Sequence, residues 1–116
     1  MLRGEIRLVD LDPGPHAEAS KRRPAVVVSN DRANATAARL GRGVVTIVPI
    51  TSNVASVYPF QVALPAEETG LRVNSKAQAE QIRSVSVERI VGPPLGLVPA
   101  QLMARLDDAL RLHLQL

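Results

Sequence analysis

Nine prolines and seven glycines interrupt this 116-residue chain at short intervals. Proline lacks a backbone N–H and both residues punctuate regular structure, so most of the chain can hold only short elements. Between the breaks lie short β-branched or alternating runs, the mark of strands. Gly4 to Val9 alternates, with Ile6 and Leu8 expected on one face and Glu5 and Arg7 on the other. Pro24-Ala25-Val26-Val27-Val28 reads as a central strand covered on both faces, opened by Pro24. Gly43 to Ile50 is a third strand, with a bulge or an end expected at Pro49, and Tyr58 to Leu64 is a fourth. Arg72 to Val85 is polar on both parities and free of proline and glycine. It is expected to form a long bent strand facing water, a partner subunit or a ligand. Arg89 to Gly96, with Gly92-Pro93-Pro94, reads as turns.

Two segments read as helical. Arg32 to Leu40 is rich in alanine, and Pro99 to Leu114 places Leu102, Leu106, Ala109, Leu110 and His113 at helical spacing. Pro99 suits the first helical position, and Asp107 and Arg111 are expected to pair on its surface. The layout predicts a mainly β fold with a C-terminal helix, a small, partly open barrel closed by that helix. One domain is expected over residues 1–116, which is a common domain size.

Composition excludes several function classes. Without cysteine there is no disulfide, thiolate metal site or cysteine nucleophile, and a count of two histidines argues against a histidine-built metal centre. No metal site and no cofactor are expected; Asp10 and Asp12 belong to turn chemistry, with Asp31 the only nearby addition. A net charge of +3 permits an anionic partner without demanding one. Tyr58 and Phe60 are the only aromatics, which disfavours a nucleic-acid reader built on aromatic platforms. No apolar run approaches the roughly 20 residues of a spanning helix. The charged N-terminus does not resemble a signal peptide, so a cytoplasmic location with no membrane partner is expected.

Few residues stand out for chemistry. His113 sits near the end of the last helix, where an imidazolium suits the helix dipole. His16 lies in a loop, as a solvated side chain or an accessory contact. Lys21-Arg22-Arg23 leads into the buried strand, and Arg23 is aimed by the rigid Pro24 behind it. A fixed guanidinium offers two parallel donors that match a phosphate. Thr51 places a hydroxyl at a strand end, in a turn with Ser52 and Asn53.

Taken in order, several segments resemble one family. They are Arg3-Gly4-Glu5-Ile6, Val9 to Pro13, Glu18, Arg23-Pro24-Ala25-Val26-Val27-Val28, Ser29-Asn30-Asp31, Pro49-Ile50-Thr51-Ser52, Glu80-Gln81-Ile82-Arg83-Ser84 and Leu106 to Leu110. Each alone is weak, but together they resemble the MazF/PemK toxin endoribonucleases of type II toxin–antitoxin systems over nearly the whole length. The resemblance implies a small SH3-like barrel shared with the gyrase poison CcdB, working as a homodimer. It implies sequence-specific, metal-independent cutting of single-stranded RNA (mRNA, rRNA or tRNA) by attack of the 2′-OH. It also implies silencing by a cognate antitoxin with an acidic segment. Arg23 and Thr51 would be the catalytic pair, with Glu18 or His16 as accessory groups. Lys21, Arg22, Gln81 and Arg83 would contact RNA. Departures fall at Arg7, where many relatives carry an aromatic, and at His16-Ala17, where many carry serine. Both bear on RNA preference. The alternative reading is a CcdB-like gyrase poison or an inactive binding module, which would not need a loop arginine.

Overall fold

The structure, a computed structural model, describes residues 1–11 and 22–116. Its frame is β1 (Glu5–Asp10), β2 (Arg22–Val27), α1 (Asp31–Leu40), β3 (Val44–Thr51), β4 (Gln61–Leu64), α2 (Ala66–Thr69), β5 (Ser75–Gln78), β6 (Arg83–Ser86), β7 (Ile90–Leu97) and α3 (Ala100–Leu114). The strands form one antiparallel sheet in the order β4-β5-β3-β2-β1-β7, with β6 added to β3. This mainly β fold with a C-terminal helix is the architecture expected from the sequence.

Strand β3 organises the sheet. One edge pairs with β2, while the other pairs first with β6 over Val44–Ile47 and then with β5 at Ile50 and Thr51. Pro49 falls where that edge changes partner, a place where a missing N–H is tolerated, so β3 runs through it unbroken. Strand β2 is covered on both faces as expected. Val26 joins Ile6, Val48, Ile50, Leu64 and Leu106 beneath α3, while Ala25 and Val27 join Val9, Val45 and Ile47 on the opposite face. Each fully buried aliphatic side chain of this size contributes about 1.5–3 kcal/mol.

Several details differ from expectation. Strand β2 begins two residues before Pro24, which pairs with Leu8 inside the ladder. In β1 the buried residues are Ile6 and Val9, which have opposite parity and join the clusters on the two opposite faces of the sheet, while Leu8 is half-buried. The Gly92-Pro93-Pro94 segment is part of strand β7, not a run of turns. Its four residues Gly92–Leu95 bulge out opposite Arg7 alone, so the prolines remove no ladder bond. Arg7 fills that bulge, donating to the Gly92 carbonyl at 2.8 Å and pairing with Glu5 at 3.0 Å.

The polar 72–85 segment is not one strand. A 3-10 turn at Ala79–Gln81 separates β5 from β6, and Ser75, Lys76 and Ala77 are buried rather than solvated. The loop before it contains the short helix α2. On α3, Leu102, Leu106, Ala109 and Leu110 are buried and His113 is exposed. Pro99 stands one position earlier than expected, as the cap. Asp107 pairs with Arg3, not Arg111, tying the chain start to the last helix, and Arg111 reaches Asp108 at 3.0 Å.

Candidate active site

Arg23 and Thr51 come together through strand register. Strands β2 and β3 pair Val27 with Ile47, Val26 with Val48 and Ala25 with Pro49. Extending this register by two residues sets Arg23 opposite Thr51, on the same face of the sheet. Both line one cavity of about 530 Å³ at the ends of these strands. Arg23 is exposed, and its guanidinium has no hydrogen-bond partner among the described residues. The Thr51 hydroxyl is half-buried and accepts the Asn53 N–H at 3.2 Å, which fixes its position and leaves its own proton free to donate. The site thus presents a planar cation and an oriented hydroxyl, each able to donate to an oxyanion.

A third polar residue on this face was not singled out from the sequence. Lys76 on β5 is the register partner of Thr51 and is only 7% exposed. Its Nζ donates to the Ser56 carbonyl at 2.6 Å and lies 5.7 Å from the centre of the Tyr58 ring. Tyr58 in turn stacks on Phe60 with ring centres 5.5 Å apart. The buried ammonium therefore holds the loop after Thr51 against the sheet. It faces no carboxylate within salt-bridge distance among the described residues, so its charge adds to the positive potential near Thr51. Sequence parity alone does not reveal this, because it requires the 52–60 loop to fold back over β5.

The far wall of the cavity comes from Gly70–Val73 and from Leu95 on the β7 bulge. These two walls are locked together by close backbone packing. A Cβ added to Gly96 would lie 2.1 Å from the Thr69 carbonyl oxygen, so only glycine allows this approach.

The other expected site residues are placed differently. Arg22 is exposed beside Arg23 at the start of β2. Gln81 is exposed in the 3-10 turn, and Arg83 is exposed on β6, donating to the Leu11 carbonyl at 3.2 Å. Neither Gln81 nor Arg83 lines the cavity. Glu18, His16 and Lys21 lie outside the described residues. Among the described residues no group of three or more His, Asp or Glu side chains is placed to hold a metal ion, and no helix is long and apolar enough to cross a membrane.

The chain belongs to the family of PemK-like, MazF-like toxins of type II toxin–antitoxin systems, whose pattern matches residues 2–114. Among its relatives, it is 66% identical over 116 residues to endoribonuclease MazF9 of Mycobacterium tuberculosis, covering 100% of this chain and 98% of that protein. Its fold is similar to MazF of Deinococcus radiodurans, with a TM-score of 0.77 at 28% identity over 100% of this chain and 97% of the other. It is equally similar to the toxin in a MazE–MazF complex from D. radiodurans, with a TM-score of 0.77 at 27% identity and the same coverage.

Proposed function

We propose that this chain is a toxin endoribonuclease that cuts single-stranded RNA in a sequence-specific, metal-independent way, acting in the cytoplasm. The observation that carries the reading is the meeting of Arg23 and Thr51 in one cavity, with the family membership behind it. Without a metal, the neighbouring 2′-OH is the nucleophile available to an RNA phosphodiester. It attacks phosphorus, the 5′-oxygen leaves, and a 2′,3′-cyclic phosphate remains. The protein has to stabilise charge on the phosphoryl oxygens, accept the 2′-OH proton and help the leaving oxygen.

Arg23 suits charge stabilisation. A guanidinium beside the developing oxyanion stabilises its charge as a hydrogen-bond donor rather than as a donor of a proton. The Thr51 hydroxyl, oriented by Asn53, suits a hydrogen bond to the 2′-OH or to a phosphoryl oxygen. No carboxylate or imidazole is among the described cavity-lining residues, so the sequence offers Glu18 and His16 as acceptors of the 2′-OH proton. Lys21 and Arg22, next to Arg23 in the sequence, would meet the RNA backbone. Gln81 and Arg83, away from the cavity, would contact RNA further along its path.

Two partners complete the reading. Leu112, Leu114 and Leu116 are exposed at and after the end of α3 on different sides of the helix, apolar surface that a second copy of the chain would cover. The D. radiodurans relative is known in complex with MazE, and a cognate acidic antitoxin is proposed here by analogy. The test is incubation with single-stranded and duplex RNA in excess EDTA. Single strands should be cut and duplexes spared, with gyrase supercoiling unaffected at the same protein level. Cleavage that stops in EDTA and returns with magnesium would overturn the metal-independent mechanism.

A further inference from the structure

The mechanism uses Arg23 and Thr51 but leaves most of their cavity unexplained. Its other walls are aliphatic, with Leu71 and Val73 on one side and Leu95 on the other, and among the described residues no aromatic or acidic side chain lines it. These walls are built rather than incidental. Leu95 projects from a bulge that Arg7, itself only about 15% exposed in its side chain, bonds to from within. Gly96 beside it packs directly on Thr69 and Gly70 at the foot of the opposite wall. A cavity that opens beside a scissile phosphate and has preformed apolar walls fits a flat heterocycle, which gains dispersion and loses water there.

The polar groups decide which heterocycle. Ser75 Oγ is turned to the Val73 carbonyl at 3.0 Å. Arg72 is exposed, and its guanidinium has no partner among the described residues. A guanidinium carries donors only. It pairs with the acceptors O6 and N7 of guanine or O4 of uracil, on the edge where adenine and cytosine instead present amino groups that oppose it.

We infer that Leu71, Val73 and Leu95 form a base slot beside the cleaved bond, and that Arg72 at its rim selects a keto base, guanine or uracil. The inference rests on the ribonuclease reading for its substrate. It adds a specificity determinant separate from the Arg23–Thr51 pair.

The test uses oligonucleotides in which each nucleotide flanking the cleaved bond is in turn G, U, A, C or abasic. At one flanking position the wild-type protein should cut the keto bases about tenfold faster than the amino bases, with the abasic substrate slowest. Arg72→Ala should bring the four bases within about twofold of one another while leaving the abasic rate unchanged. Leu95→Ala should slow every base-bearing substrate and spare the abasic one. A preference for adenine or cytosine, no preference, or one that survives both substitutions overturns the slot. The same panel with 2′-deoxy sugars, read by fluorescence anisotropy, measures the slot without cleavage. If no RNA is cut yet binding follows this base pattern, the nuclease reading fails and the slot stands.

Discussion

Replacing Arg23 should separate catalysis from stability. Arg23 is exposed two residues before the buried Ala25-Val26-Val27 run, and its side chain makes no hydrogen bond among the described residues. Exposed side chains without such contacts usually change stability by no more than about 0.5 kcal/mol when replaced. For a domain of this size that moves Tm by only about 2–3 °C. Loss of a preorganised oxyanion donor, by contrast, costs about 10²–10³ in kcat, or about 2.7–4 kcal/mol. Arg23→Ala should therefore melt like the wild type and cut RNA at least a hundredfold more slowly. Because the charge it meets develops in the transition state, kcat should fall more than KM rises. Arg23→Lys should recover only part of the rate, since an ammonium keeps the charge but loses the planar pair of donors. The assay is cleavage of a fluorescent oligonucleotide under saturating substrate, beside a thermal melt of each variant. A folded Arg23→Ala protein within threefold of wild type, or full rescue by lysine, would refute the role.

Three further outcomes are expected. Thr51→Ala should lose most activity, and Thr51→Ser should keep a measurable part of it; equal rates for both would show that the hydroxyl is idle. Asn34 is fully buried and clips α1 to the sheet by exchanging hydrogen bonds with Ser29, whose hydroxyl also accepts the Thr46 N–H, so Asn34→Ala should lower stability by about 1–3 kcal/mol in denaturant melts. The protein should scatter light as a dimer, and an acidic antitoxin peptide should bind it more weakly as salt rises; a monomer throughout, or salt-independent binding, would count against the proposed partners.

What the sequence shows and what it hides follow from how each feature arises. The β2 core run was legible because Ala25, Val26 and Val27 are buried on both sheet faces, and continuous apolar strands need no partner to be recognised. Helix α3 was legible from the spacing of its buried residues. Strand β7 was hidden because Gly92-Pro93-Pro94 has turn chemistry, and only the pairing with β1 shows that these residues sit in a bulge. The chemical types of Arg23 and Thr51 suggested function, but their juxtaposition depends on the β2–β3 register, which no local pattern encodes. The cavity walls were hidden for the same reason. Leu71, Val73 and Leu95 are ordinary aliphatics until Gly96 packs against Thr69. The Asp107–Arg111 expectation failed because Arg3, distant in sequence, competes for the same carboxylate.

The central claim is that the RNA cuts itself at a 2′-OH held by this site. It is tested most directly with an oligonucleotide carrying a single 2′-deoxy sugar on the 5′ side of the cleaved phosphate. This substrate should bind the protein like all-RNA and resist cutting, and the all-RNA control should yield a 2′,3′-cyclic phosphate. Cutting of the deoxy substrate at the all-RNA rate would mean that water or a side chain attacks phosphorus, and the mechanism assigned to Arg23 and Thr51 would be wrong.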